Sequence, residues 1–261
     1  MNKFYIFIFA ILLISCKENR NSELNIPIEQ KIFSDSINNF CINRAKERNA
    51  IKDKEIYDSY IKWINSFSDS LVFVNNWKGK IKGVKIKDAP ELKATSIEFD
   101  LELPLKDDRL IEIAYKKYIT KGKENQNLIY NQLKSIKSKK NVTFDGTFCI
   151  TTDRKIKFGG IYGVYENEGN NICQPHLEMI ITSIKPDSIS DSPNLRNMKK
   201  FVAEQMRITE MTARKKITPA EAAELIKNIE KQKEELKEKL SLKENEEVNY
   251  LASELYLKIL N

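Results

Sequence analysis

Residues 71–87 read Leu71-Val72-Phe73-Val74-Asn75-Asn76-Trp77-Lys78-Gly79-Lys80-Ile81-Lys82-Gly83-Val84-Lys85-Ile86-Lys87. Trp77, Gly79 and Ile81 alternate with Lys78, Lys80 and Lys82, the two-residue period of a strand with one buried face. At Gly83 the parity reverses, so that Val84 and Ile86 become the apolar set and Lys85 and Lys87 the polar one. A glycine at a parity change predicts a β-bulge that bends a long strand.

Downstream the same period returns. Ile97, Phe99, Leu101 and Leu103 oppose Glu98, Asp100 and Glu102 until Pro104 ends the run, and a third strand is expected over Leu110 to Ile119. Leu128, Ile129, Leu133 and Ile136 then recur at helix spacing. Asn141 to Phe148 is extended again, Lys155 to Tyr165 reads as a glycine-broken ribbon, and Leu177 to Ile184 closes the series before Pro186. Three strands, a helix and two or more strands, opening on a bent first strand, is the order of an OB-fold barrel.

All eight glycines lie between Gly79 and Gly169. Because glycine is disfavoured inside helices and marks turns and bulges, both flanks are expected to be helical. Upstream, Ile28, Ile32, Phe33, Ile37, Phe40 and Cys41 form one helical stripe. Ile56, Tyr60, Ile64 and Phe67, with Trp63 alongside, form another. The basic run Arg44 to Arg48 between them reads as a solvated helix face. Downstream a helix is expected through Phe201 and Met206, and Thr218-Pro219-Ala220-Glu221 is a capping box with proline at the first helical position. The helix it opens carries Ala222, Leu225, Ile226, Ile229, Leu236 and Leu240, and a second carries Val248, Leu251, Leu255 and Ile259. These form a helical hairpin that packs within the chain or serves as a dimerising or docking arm. The fold class is therefore α+β: a helical segment over 26–70, an OB-like five-stranded barrel over 71–186, and a helical arm over 194–261.

Ahead of these segments the chain opens with Lys3 and an apolar run from Phe4 to Ile14, too short for a permanent transmembrane helix and suited to a secretory signal over 1–15. Leu13-Ile14-Ser15-Cys16 resembles the bacterial lipobox. That resemblance implies cleavage before Cys16, acylation of its thiol, and a polar tether over 16–25. Two or three acyl chains, at about 0.8 kcal/mol for each buried methylene, anchor a chain firmly. The expected location is the cell envelope, on the outer membrane or the outer face of the cytoplasmic membrane. Lysine and arginine total 44 against 37 acidic residues, and loss of Lys3 leaves a net charge of about +6. Spread over 246 residues, that is a modest excess. Three cysteines remain outside the cytosol, an odd number that permits one bridge. Cys149 and Cys173 share a segment and are the expected pair.

The Asn76-Trp77-Lys78-Gly79-Lys80-Ile81 strand, the Val142 to Phe148 stretch and the closing Ile181-Thr182-Ser183-Ile184 resemble small bacterial envelope proteins with an OB-like, tRNA-anticodon-type domain. The resemblance covers roughly residues 50–186 and its motifs are structural, so it implies a fold and no ligand. OB barrels commonly bind across their second and third strands. The candidate face is Tyr115, Lys116, Lys117 and Tyr118, with Lys155, Lys157 and Phe158 nearby. Aromatic rings interleaved with lysines suit single-stranded nucleic acid, but Glu98, Asp100 and Glu102 oppose phosphate if they share the face. A protein or envelope-polymer partner is preferred, and oligonucleotide binding is an alternative.

Catalytic patterns are weak. His176 beside Cys173 lacks the further ligands of a zinc site and the orienting group of a nucleophilic dyad. Gly159, Gly160 and Gly163 lack the strand-to-helix setting of a phosphate loop. The expectation is a non-catalytic binding module with no cofactor and no metal, against the alternative of an envelope enzyme whose site is assembled from scattered residues.

Overall fold

Gly83 sits at φ +65° in the middle of a strand that runs without a break from Val74 to Ala89, and the pairing register shifts between Lys82 and Lys85. The computed structural model that shows this describes residues 26–71, 73–136, 140–149 and 172–260. β1 (Val74–Ala89), β2 (Ala94–Pro104), β3 (Leu110–Thr120), β4 (Asn141–Phe148) and β5 (His176–Pro186) form a closed barrel in the order β1-β2-β3-β5-β4. Only β3 and β5 pair in parallel. The bend at Gly83 lets one strand pair with β4 through its first half and with β2 through its second. That double use closes the sheet and leaves no open edge.

Trp77, Ile81, Ile97, Phe99, Leu101 and Leu103 are buried, as the alternation predicts. A helix between β3 and β4, α3 (Leu128–Leu133), buries Ile129 and Leu133 in the same core. Its Gln132 accepts a hydrogen bond from the Ile184 backbone N–H at 2.8 Å. Gly146 marks a second register shift, between β4 and β5, and a Cβ there would stand 2.5 Å from the Ile180 carbonyl oxygen. That contact excludes any larger residue without a shift of backbone. The chain is thus α+β with a five-stranded OB-like barrel and flanking helices.

Upstream lie α1 (Ile28–Lys46) and α2 (Ala50–Ser70). The turn between them is set by Asn49, whose side-chain oxygen accepts from the Ile51 and Lys52 N–H groups. Phe33, Ile37, Cys41, Tyr60 and Ile64 are buried, whereas Ile28 and Ile32 face outward. Gln30 is buried for a backbone reason. Its amide donates to the Lys78 carbonyl at 2.6 Å and accepts from the Lys78 N–H at 2.8 Å, completing β1 where its pairing with β2 has not begun.

Downstream, Ser192 caps α4 (Pro193–Ala213), the Thr218–Glu221 capping box opens α5 (Pro219–Lys237), and α6 (Leu242–Leu260) follows. α4 packs against both α5 and α6, and α6 also packs on β5. The arm therefore packs within the chain, around α4.

The expected Cys149–Cys173 bridge is not the one formed. Cys173 pairs with Cys41 on α1, 132 residues away, with Cα atoms 4.9 Å apart. The helical stripe that buries Phe33 and Ile37 carries Cys41 to the segment entering β5. Cys149 instead directly follows β4, where its N–H donates to the Glu178 carbonyl. The expected signal and tether, with Cys16, and the expected ribbon from Lys155 to Tyr165 lie outside the described residues. No helix among the described residues is long and apolar enough to cross a membrane.

Candidate functional site

On β3 the residues alternate between barrel interior and outer face, and this divides the predicted Tyr115-Lys116-Lys117-Tyr118 platform. Tyr115 is 3% exposed and its ring packs on Phe99 with centroids 4.7 Å apart. It is a core residue. Lys117 points the same way and is covered by α6, donating to Glu254 and, at 3.1 Å, to the Tyr250 hydroxyl. Burial works against its charge, yet the Tyr250 and Glu254 side chains outweigh burial and raise its pKa. Lys116 and Tyr118 remain on the outer face, with the ammonium 5.3 Å from the ring centroid.

That outer face carries cross-strand ion pairs. Glu98 on β2 pairs with Lys116 at 2.9 Å, and the ammonium lowers the Glu98 pKa. Lys82 on β1 reaches Glu102 at 2.8 Å and Glu112 at 3.6 Å. His176 stands 3.8 Å from Asp100, too far for a hydrogen bond but close enough for charge attraction. Asp100, with Glu112 and Glu178, raises the His176 pKa against a lowering by partial burial. The acids of β2 do share the face with the lysines, and those acids would meet a phosphate backbone, although Lys80, Lys85 and Lys87 of β1 are exposed there without an ion pair among the described residues. Lys155, Lys157 and Phe158 lie outside the described residues. Cys173, held in the disulfide, supplies neither a thiolate nucleophile nor a metal ligand beside His176.

Nothing in the sequence brings the members of a second cluster together. Asp145 on β4, Asp191 ahead of α4 and Glu247 on α6 bring carboxylate oxygens within 4.8 Å of one another. That is the spacing of a metal site, but the Lys199 ammonium sits among them. It donates to Asp145 at 2.5 Å, to Asp191 at 2.6 Å, and to Glu247. Lys185 adds 2.5 Å to Asp191 and 2.8 Å to Glu247. Burial disfavours the Lys199 charge, but Asp145, Glu247 and Asp191 outweigh it and hold its pKa above the ordinary lysine range. The other Asp145 oxygen accepts from the Asn76 N–H at 2.7 Å, where β1 bulges and Asn76 takes a φ of +56°. The cluster is closed and ties the C-terminal helices to the barrel.

An open concavity remains, a groove of about 940 Å³ between the start of α1, the end of α2, the start of β1, and α4. Its apolar lining includes the half-buried Ile26, Leu71 and Phe201, with the buried Phe73 and Trp77 behind them. Of the charges on it, Lys78 is paired with Asp187 at 3.0 Å and Arg207 with Glu204 at 2.6 Å. Arg196 and Lys200 are exposed, lie one helical turn apart on α4, and have no ion-pair partner among the described residues. Phe201 and the Trp-x-Gly strand were visible in the sequence, but their meeting depends on α4 folding back beside β1. Among the described residues, this groove combines part-exposed apolar side chains with unpaired charge in a concave setting, whereas the β2–β3 face intersperses its lysines with acids.

No family model, curated protein or solved structure matches the chain.

Proposed function

We propose that this chain is a lipid-anchored envelope protein that binds a partner or ligand without transforming it, and that the groove between α4 and β1 is where it binds. The groove itself carries the reading: its volume falls in the range of ligand sites, and its wall joins half-buried apolar side chains, Phe201 among them, to unpaired cations. The closed state of the other polar clusters supports a non-catalytic role. The carboxylates that approach one another around Lys199 are held by ammonium groups, and the histidine has a disulfide sulfur beside it in place of a thiol. The lipobox-like Leu13 to Cys16 supports the anchor, and the closed barrel with its Trp77-x-Gly79-x-Ile81 strand supports kinship with the OB-like, anticodon-type envelope domains. Protein, envelope-polymer and small-ligand occupants all suit such a module. Nucleic acid suits it poorly, because Glu98, Glu102 and Glu112 stand among the lysines of the barrel face.

Photocrosslinking in intact cells tests this reading. A photoreactive side chain at Lys200 should yield membrane-associated adducts that one at Tyr118 does not, and Cys16→Ala should shift the chain out of the membrane fraction. Adducts from Tyr118 alone would move the site to the barrel face, and unchanged membrane fractionation of Cys16→Ala would remove the anchor.

A further inference from the structure

The charge pattern of the groove narrows its occupant, and this step rests on the groove being the binding site. Arg196 and Lys200 are four residues apart on α4, so they stand on one helix face with Cβ atoms about 6 Å apart. A single phosphate or carboxylate group can bridge such a pair, each cation giving a charge-assisted hydrogen bond. The rest of the rim opposes a longer polyanion: Glu29 is exposed, and Asp187 and Glu204 already neutralise Lys78 and Arg207. Repeated negative charges would meet these carboxylates after the first anionic group had been satisfied.

Beside the cation pair the lining turns apolar. Phe201 is the next residue after Lys200, and the half-buried Leu71 and Ile26 extend the surface from there, backed by the buried Phe73 and Trp77. Burying apolar area on that surface contributes roughly 25 cal/mol per Å². A small free anion would leave it wet, and a neutral amphiphile would leave the cations without a partner. Position agrees with this. Ile26 lies on the groove, and the ten residues from Cys16 to Asn25 can span at most about 35 Å. With Cys16 acylated, the groove stays near the lipid surface, where anionic amphiphiles are concentrated.

We infer that the groove binds a singly headed anionic amphiphile, its phosphate or carboxylate on Arg196 and Lys200 and its apolar portion against Phe201, Leu71 and Ile26. The test uses the complete mature chain with Cys16→Ser, titrated calorimetrically with dodecyl phosphate, dodecyl maltoside, dodecyltrimethylammonium and inorganic phosphate. Dodecyl phosphate should saturate at one per chain. Arg196→Glu with Lys200→Glu should weaken it tenfold or more while leaving the thermal midpoint in place, since neither residue is buried or has an ion-pair partner among the described residues. Phe201→Ala should weaken it less.

Equal binding of the neutral or cationic amphiphile would overturn the anionic assignment and leave a binding groove. Equal binding of inorganic phosphate would overturn the amphiphile and leave an anion site. If no probe binds while the Lys200 crosslinks persist in cells, this inference fails and the binding module stands. If both vanish, both fail.

Discussion

The barrel carries two helical attachments joined to it by opposite chemistry. α1 meets it through rings: Phe33 packs within 5.0 to 5.9 Å of Trp63, Phe67, Trp77 and Phe148, and the Cys41–Cys173 bridge crosses the same junction. The C-terminal helices have an apolar cluster of their own, Leu195, Met198, Val202, Leu251 and Leu255 among it, which reaches the β1 side through Phe73. Their other link to the barrel is charged: Lys199 and Lys185 with Asp145, Asp191 and Glu247, and Lys117 with Glu254. Ring packing tolerates rearrangement, since dispersion is undirected and many neighbours share the loss. A buried charge cluster does not, because removing one member leaves the others desolvated and unpaired. The C-terminal junction is therefore the more specific of the two and the more easily broken.

Lys199→Met should have the largest effect. It leaves three buried carboxylates with Lys185 alone, and breaking a buried pair in this way costs about 3–5 kcal/mol. Urea unfolding should show the loss, and hydrogen exchange should place it first in α4 and α6. A loss below about 1 kcal/mol would mean that the cluster is more solvated than its burial indicates, and that the apolar cluster alone holds the lobe. Removing the N-terminal clamp, Cys41→Ala with Cys173→Ala, comes next. The bridge spans 132 residues, and native disulfides stabilise by about 2–4 kcal/mol, chiefly by restricting the unfolded chain. The N-terminal helices should stay docked on their rings under native conditions. Their release in hydrogen exchange would show that the disulfide, and not Phe33, fastens them.

This contrast also accounts for what the sequence disclosed. Periodicity marks apolar faces, so β1 to β5, the bend at Gly83, α3 and the stripes of α1, α2 and α6 were all legible. The Ser241-x-x-Glu244 capping pattern that opens α6, with Ser241 and Glu244 bonded to each other's backbone, was a readable signal left unused. The charge cluster could not be read. Lys199 lies on the buried stripe of α4, four residues after Leu195 and three before Val202, which sets it apart from the exposed Lys200 but names no partner. Its partners come from three other segments, so only the tertiary fold selects them. The reading of Tyr115 and Lys117 failed for another reason: four consecutive strand residues cannot share one face, and alternation with Ile111 and Ile113 already placed Tyr115 and Lys117 opposite Lys116 and Tyr118. Dependence on the tertiary fold also hid Cys41, because bridge partners are set by where helices dock and not by proximity along the chain.

The N-terminal junction carries a small defect that sharpens the comparison. Tyr60 is fully buried among Phe40, Tyr57 and Trp63, and its hydroxyl has no hydrogen-bond partner among the described residues. Burial pushes its ionisation well above the ordinary tyrosine range. Tyr60→Phe removes the unsatisfied group and keeps the ring, so it should stabilise the chain by about 1 kcal/mol, read as a higher thermal midpoint. A destabilisation of that size would mean that the hydroxyl makes a bond the packing conceals. Junctions built from rings can absorb such a flaw, whereas an equivalent unpaired group at Lys199 would not be absorbed.

The smallest expected effect belongs to charges at neither junction, those on the outer face of β2, β3 and β5. His176 is the chain's single histidine, so a stability step near neutral pH can be traced to it. Its folded pKa is raised, first by Asp100 and further by Glu112 and Glu178, against partial burial. A raised pKa means that the folded state holds the proton more tightly than the unfolded one. The resulting stabilisation is complete below the unfolded value of about 6.5 and is lost as pH rises through the folded pKa. Urea midpoints measured from pH 5.5 to 8.5 should fall slightly across that window, and His176→Gln or Asp100→Asn should flatten the fall. A rise over the same range would show that burial outweighs Asp100. Solvent screens this partly exposed pair, so the step should be far smaller than the loss at Lys199. Both sites place a cation beside several carboxylates, and what separates them is the water that reaches one and not the other.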